Sequence, residues 1–145
     1  MMKSQRLSKL VKIEEAKEKE EARKFARFQK IVQESKNKLS DLEAYLLDYR
    51  DKFAVLTRHG SEAGKIRSSH AFINQINRAI SQQQKTVKEL EDAADEYRQS
   101  WLYAKQRMES LEKTISRFRD EELRQEAKKE QLLADEIARH KPWSD

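Results

Sequence analysis

Three histidines, His59, His70 and His140, are the first residues to test for metal or acid–base chemistry. Their separations fit no metal-ligand spacing, and the first two fall in a stretch that reads as a turn. The chain has no cysteine, which removes thiolate nucleophiles and any disulfide framework and fits a reducing cytoplasm. Carboxylates are plentiful, as at Glu18, Glu20 and Glu21, but they read as surface or seam charges rather than an acid–base pair. No glycine-rich loop could cradle a phosphate, and no Ser–His–Asp set has a cleft to work in. Trp101 and Tyr97 fall on an apolar seam, and Trp143, after Pro142, reads as part of a short tail. No catalytic residue, metal or cofactor is expected.

The composition points the same way. Of 145 residues, 37% are hydrophobic and 39% charged, with two glycines and one proline. Ordinary globular chains are roughly 45–50% apolar, so an α/β enzyme core is excluded. Disorder is excluded too, because the apolar residues are too regularly placed. There is no apolar run of ~18 residues to span a membrane. Met1-Met2-Lys3-Ser4-Gln5-Arg6 leads into no signal-peptide core, so export by that route is not expected. The net charge of +5 is concentrated: residues 1–38 hold 12 Lys/Arg against 6 Asp/Glu. An acidic protein surface, anionic lipid or nucleic acid could use that excess. A nucleic-acid reader would interleave aromatics on the basic face, and none are there.

What positions these residues is a pair of heptad arms. Gly60 and Gly64 lie together near residue 60 and Pro142 lies near the end, so the chain reads as arm, turn, arm, tail. The first arm steps by three and four residues through Leu7, Val11, Glu14, Glu18, Glu21, Phe25, Phe28, Val32, Ser35, Leu39, Leu42, Leu46, Tyr49, Phe53 and Leu56. The second does so through Ile73, Ile76, Ile80, Gln83, Val87, Leu90, Ala94, Tyr97, Trp101, Ala104, Met108, Leu111, Ile115 and Phe118. A 3.5-residue period marks the seam of a left-handed coiled coil. The fold expected is all-α, a single antiparallel two-helix coiled-coil hairpin. Its arms run over about 4–57 and 69–140, with a turn at 58–69 and a tail at 141–145.

Several details follow. Ser68 or Ser69 is expected to cap the second helix. Facing residues should have numbers adding to about 129, which sets Leu56 near Ile73, Leu42 near Val87, Phe25 near Ala104 and Ser35 beside Ala94. The paired part would form a rod about 80 Å long. Glu14, Glu18 and Glu21 would then face Met108, Leu111 and Ile115, so the arms should splay, shift register or meet a partner there. Beyond Phe118 the seam degrades through Glu122, while Leu123, Ala127, Leu133 and Ile137 form a displaced stripe. The second arm should overrun the first by roughly two or three turns, a marginal helix unless docked.

Certain segments are more distinctive than heptads. They are Leu39-Ser40-Asp41-Leu42-Glu43-Ala44-Tyr45 with Tyr49-Arg50, then Phe72-Ile73-Asn74-Gln75-Ile76-Asn77-Arg78-Ala79-Ile80, and Trp101-Leu102-Tyr103-Ala104-Lys105. With the run Arg124-Gln125-Glu126-Ala127-Lys128-Lys129-Glu130-Gln131 and Asp135-Glu136, they resemble the FliJ family of bacterial flagellar type III protein export. The resemblance implies a non-enzymatic, stalk-like coiled coil that binds and stimulates the hexameric export ATPase. It also implies contact with the linker of the membrane export-gate protein FlhA, escort of export chaperones, and a cytoplasmic location peripheral to the inner membrane. No nucleic acid, no membrane insertion and a monomeric hairpin are expected.

The family's gate-binding positions match Leu42, Tyr45 and Tyr49 on the first arm and Phe72, Ile76 and Ala79 on the second. Lys38 and Gln83 depart from the family pattern. Leu42, Tyr49 and Ile76 also serve the seam, whereas Tyr45 and Phe72 are not required by it. With the gate patch near the turn, the free end is left for the ATPase. Its expected carriers are Arg23, Arg27 and Lys30 on the first arm and Arg119, Arg124 and Lys128 on the second. The alternatives are the equivalent stalk of a virulence secretion system and a self-associating scaffold.

Overall fold

A computed structural model describes residues 3–60 and 62–140; the tail with Pro142 and Trp143 lies outside the described residues. The fold is the expected all-α helical hairpin. Helix α1 spans Lys3–Arg58 and helix α2 spans Ala63–Arg139, with no strand among the described residues. The chain divides into two compact units, Glu21–Ser100 around the turn, and the stretch through Glu20 with the stretch from Trp101 onward.

The turn is shorter than the sequence suggests. Gly60 takes φ 67, a left-handed conformation that a side chain would strain, and α1 stops just before it. His59 N–H still bonds the Val55 carbonyl at 3.1 Å, and the Thr57 hydroxyl covers the Ala54 carbonyl at 2.9 Å. Helix α2 begins at Ala63, six residues ahead of the expected start, with Ile66 N–H on the Glu62 carbonyl. Ser68 and Ser69 are therefore helical residues and not caps. Ile66 and Ser69 turn inward and extend the seam back toward the turn, which outweighs the modest cost of Gly64 in the first turn.

The short turn moves the register. Tyr49 stacks on Phe72 at 4.7 Å, Ser35 bonds Gln83 and Phe28 lies 4.9 Å from Tyr97, so facing numbers add to between 118 and 125 and not to 129. The shift is about one heptad, so the same faces still meet but every partner changes. Leu46, Ile73, Ile76 and Ile80 form the buried core of the turn-side unit, with Leu39, Leu42, Tyr49, Phe53 and Phe72 packed around them. Phe72 thus serves the core as well as the surface, contrary to its assignment outside the seam. Ser35 lies on Gln83, not beside Ala94: the buried Gln83 amide donates to the Ser35 carbonyl at 3.0 Å and hydroxyl at 2.9 Å. Phe25 shares a groove with Val32, Ala94 and Arg98.

The seam carboxylates are paired, Glu14 and Glu18 within the other unit and Glu21 within the turn-side unit. Trp101 Nε1 donates to Glu18 at 2.8 Å. Glu14, its side chain only 12% exposed, has Lys17 and Arg107 each at 3.6 Å. Lys24 stands 3.6 Å from Glu21 in the turn-side unit. Lys17 and Lys24 lie one turn along α1 itself, and the new register supplies Trp101 and Arg107 from α2 where the expected one set Leu111 and Ile115 against Glu18 and Glu14. Glu122 does not mark decay of the seam either. Its carboxylate accepts from Ser4 N–H at 3.2 Å and Ser4 hydroxyl at 2.6 Å, so α2 caps the start of α1. Beyond Glu122, α2 runs on to Arg139 with every residue exposed, about four or five turns instead of two or three.

Candidate functional site

The surface that could carry function lies beside the turn. In heptad terms Tyr49 is a seam residue and Tyr45, one turn before it, stands at the seam's edge. On α2, Phe72 precedes seam residue Ile73 and faces the same edge. The three rings meet: Tyr45 lies edge-on to Phe72 at 6.2 Å, Tyr49 is 4.7 Å from Phe72, and the two tyrosines are 6.2 Å apart. Tyr45 is 47% exposed while Tyr49 and Phe72 are half-buried, so the cluster presents a tyrosine face held from beneath by the core. Rigid, partly exposed aromatics of this kind anchor interfaces at small entropic cost.

The remaining gate-site candidates divide by burial. Ala79 is exposed, Leu42 is half-buried, and Ile76 is 5% exposed inside the core. Ile76 can act only by holding the surface in place. Gln83 is buried on Ser35, and Lys38 is exposed. The six basic candidates belong to different units: Arg23, Arg27 and Lys30 to the turn-side unit, Arg119, Arg124 and Lys128 to the other. Arg119 donates to Ser8 Oγ at 3.2 Å.

Sequence reasoning missed one feature, an ionic and aromatic edge in the second unit. Arg107 lies 6.0 Å from the Tyr103 ring centre and 3.6 Å from Glu14. A hydrogen bond to Tyr103, then the charge of Glu14, raises its pKa above the ordinary arginine value. A Tyr–x–x–x–Arg spacing on one helix face was the available signal. No grouping of His, Asp and Glu suited to a metal exists among the described residues.

Two long helices packed along a heptad seam define a helical hairpin of the coiled-coil class. The chain matches the family model described as Flagellar FliJ protein over residues 2–144, and it belongs to that family. No individual curated protein and no solved structure matches it. The family is a non-catalytic component of the flagellar export apparatus.

Proposed function

We propose that this hairpin is a stalk-type adaptor of flagellar protein export. It binds the hexameric export ATPase, stimulates it, and links it to the FlhA linker at the export gate. The observation that carries this reading is the Tyr45–Tyr49–Phe72 cluster, whose exposed member the core does not need. Because the seam is satisfied within one chain, the protein works as a monomer, against a self-associating scaffold. The flagellar family match favours this system over a virulence stalk. Export chaperones are further partners, and the working location is the cytoplasmic face of the flagellar base.

Tyr45→Ala is expected to weaken binding to the purified FlhA linker by roughly 2 kcal/mol, an interface anchor's worth, with helicity and melting nearly unchanged. Adding Phe72→Ala should weaken binding further and also lower stability, since Phe72 packs on the core. Calorimetric titration that finds wild-type affinity for Tyr45→Ala would remove the patch from the gate contact.

For the ATPase, Arg23, Arg27 and Lys30 act on an acidic lining. One exposed pair contributes about 0–1 kcal/mol, but three acting together give an attraction that fades with salt. The protein alone should hydrolyse no ATP, while stimulating its cognate ATPase most strongly at low salt. Reversing all three residues to Glu should remove the stimulation and spare FlhA binding. Undiminished stimulation by that variant would make these cations a solvated face.

A further inference from the structure

Helix α1 leaves an outward face unused near its start. Leu7, Val11, Glu14 and Glu18 point toward α2, while Leu10 and Ile13 point away and are 47% and 51% exposed. Their spacing puts Arg6, Leu10, Ile13 and Lys17 on one line along the helix, with Lys9 beside it. All three cations are exposed, and no carboxylate occurs from Lys3 to Ile13. The nearest, Glu14, has Arg107 at 3.6 Å, and its contact with Lys17, whose side chain is 62% exposed, is a weak surface pair that Lys17 can exchange for another anion. Next to Glu14, exposed Tyr103 carries the Arg107 guanidinium over its ring.

We propose that this Arg6–Lys17 face of α1 docks on the surface of an anionic lipid bilayer, lying in the headgroup region. Two apolar side chains set among long cationic ones make an amphipathic face: Leu10 and Ile13 enter the acyl boundary while Arg6, Lys9 and Lys17 reach headgroup phosphates. An acidic protein surface or a nucleic acid would pair the cations but leave Leu10 and Ile13 against charge. Tyr103 is of the residue type enriched at membrane interfaces. No described helix is long and apolar enough to cross a membrane, so the contact is one of lying on the surface. The inference is independent of the ATPase and gate readings.

The test is flotation of the full chain with vesicles of phosphatidylcholine alone or mixed with phosphatidylglycerol. Binding is expected only to the mixed vesicles and should fall with added salt. Each cation near an anionic leaflet contributes roughly fivefold in affinity, so R6Q/K9Q/K17Q should lose about a hundredfold. Leu10→Ser with Ile13→Ser should lose about tenfold at low salt. As a second reporter, Ile13→Trp should shift its fluorescence to the blue on mixed vesicles, independently of any effect of the charge variants on folding. Equal binding to both vesicle types, or to neither, overturns the proposal. So does an affinity for polyglutamate or DNA that matches the mixed vesicles and ignores the Leu10/Ile13 change.

Discussion

Ile76→Ala is expected to cost about 2–4 kcal/mol of stability, read by denaturant unfolding followed through helical circular dichroism. Ile76 is 5% exposed and packs with Leu46, Ile73 and Ile80, the innermost layer of the turn-side unit. Truncation removes three carbons from a site whose neighbours sit on two long helices and cannot collapse inward freely. A two-helix seam is also thin: no large side chain among the described residues is fully enclosed, so this layer holds much of the burial available. Tyr45→Ala, at an exposed position, should cost under about 1 kcal/mol. If Ile76→Ala proved as mild as Tyr45→Ala, the core assignment would be wrong. For the proposed gate contact the contrast separates two ways of losing binding: Ile76→Ala would act through the scaffold and Tyr45→Ala through the surface.

Much of the fold was legible because heptad spacing is a local signal. Every buried hydrophobic residue, from Val32 and Leu46 to Ala104 and Ile115, lies on the seam read from the sequence. The left-handed Gly60 is likewise announced by its type. Register was not legible, because sliding one heptad past another returns apolar residues to apolar residues. The choice rests on details with no periodicity: a helix that starts at Ala63 and polar groups that need partners. The same slip explains the overhang, whose length follows from register and not from composition. At the candidate site, the aromatic types and the family resemblance drew attention to Tyr45 and Phe72. Helical spacing alone could not show that Phe72 also packs on the core, since one residue before a seam position can face either way.

The polar members of the seam are what break the heptad degeneracy. Glu18 meets an indole N–H, Glu14 meets a guanidinium, and Gln83 meets Ser35, each only near the observed register. In the alternative, Glu14 and Glu18 would lie against Met108, Leu111 and Ile115, and unpaired burial of such groups costs several kcal/mol. An all-apolar seam would bind more tightly per layer and tolerate both registers. The carboxylates therefore exchange some seam stability for a single alignment, as a polar residue at one core position does in other coiled coils.

That alignment should appear directly in a cross-linking experiment, with an all-or-none contrast. The natural chain has no cysteine, so paired substitutions introduce the only thiols. Ser35→Cys with Gln83→Cys places them across the seam at a site where the native side chains touch at 2.9 Å. Ser35→Cys with Ala94→Cys tests the register that the sequence alone favours. Residues 83 and 94 are eleven positions apart on one helix, roughly 16 Å along its axis, farther than a short thiol-to-thiol linker reaches. At low protein concentration the first pair should close almost completely within one chain and the second should stay open. Mass spectrometry of the intact product distinguishes a closed pair from two singly modified thiols. Closure of the Ala94 pair instead would restore the longer turn, return Glu14 and Glu18 to apolar neighbours, and undo the pairing of Trp101 with Glu18. Equal closure of both would mean that the hairpin samples two registers and that its seam carboxylates do not choose between them.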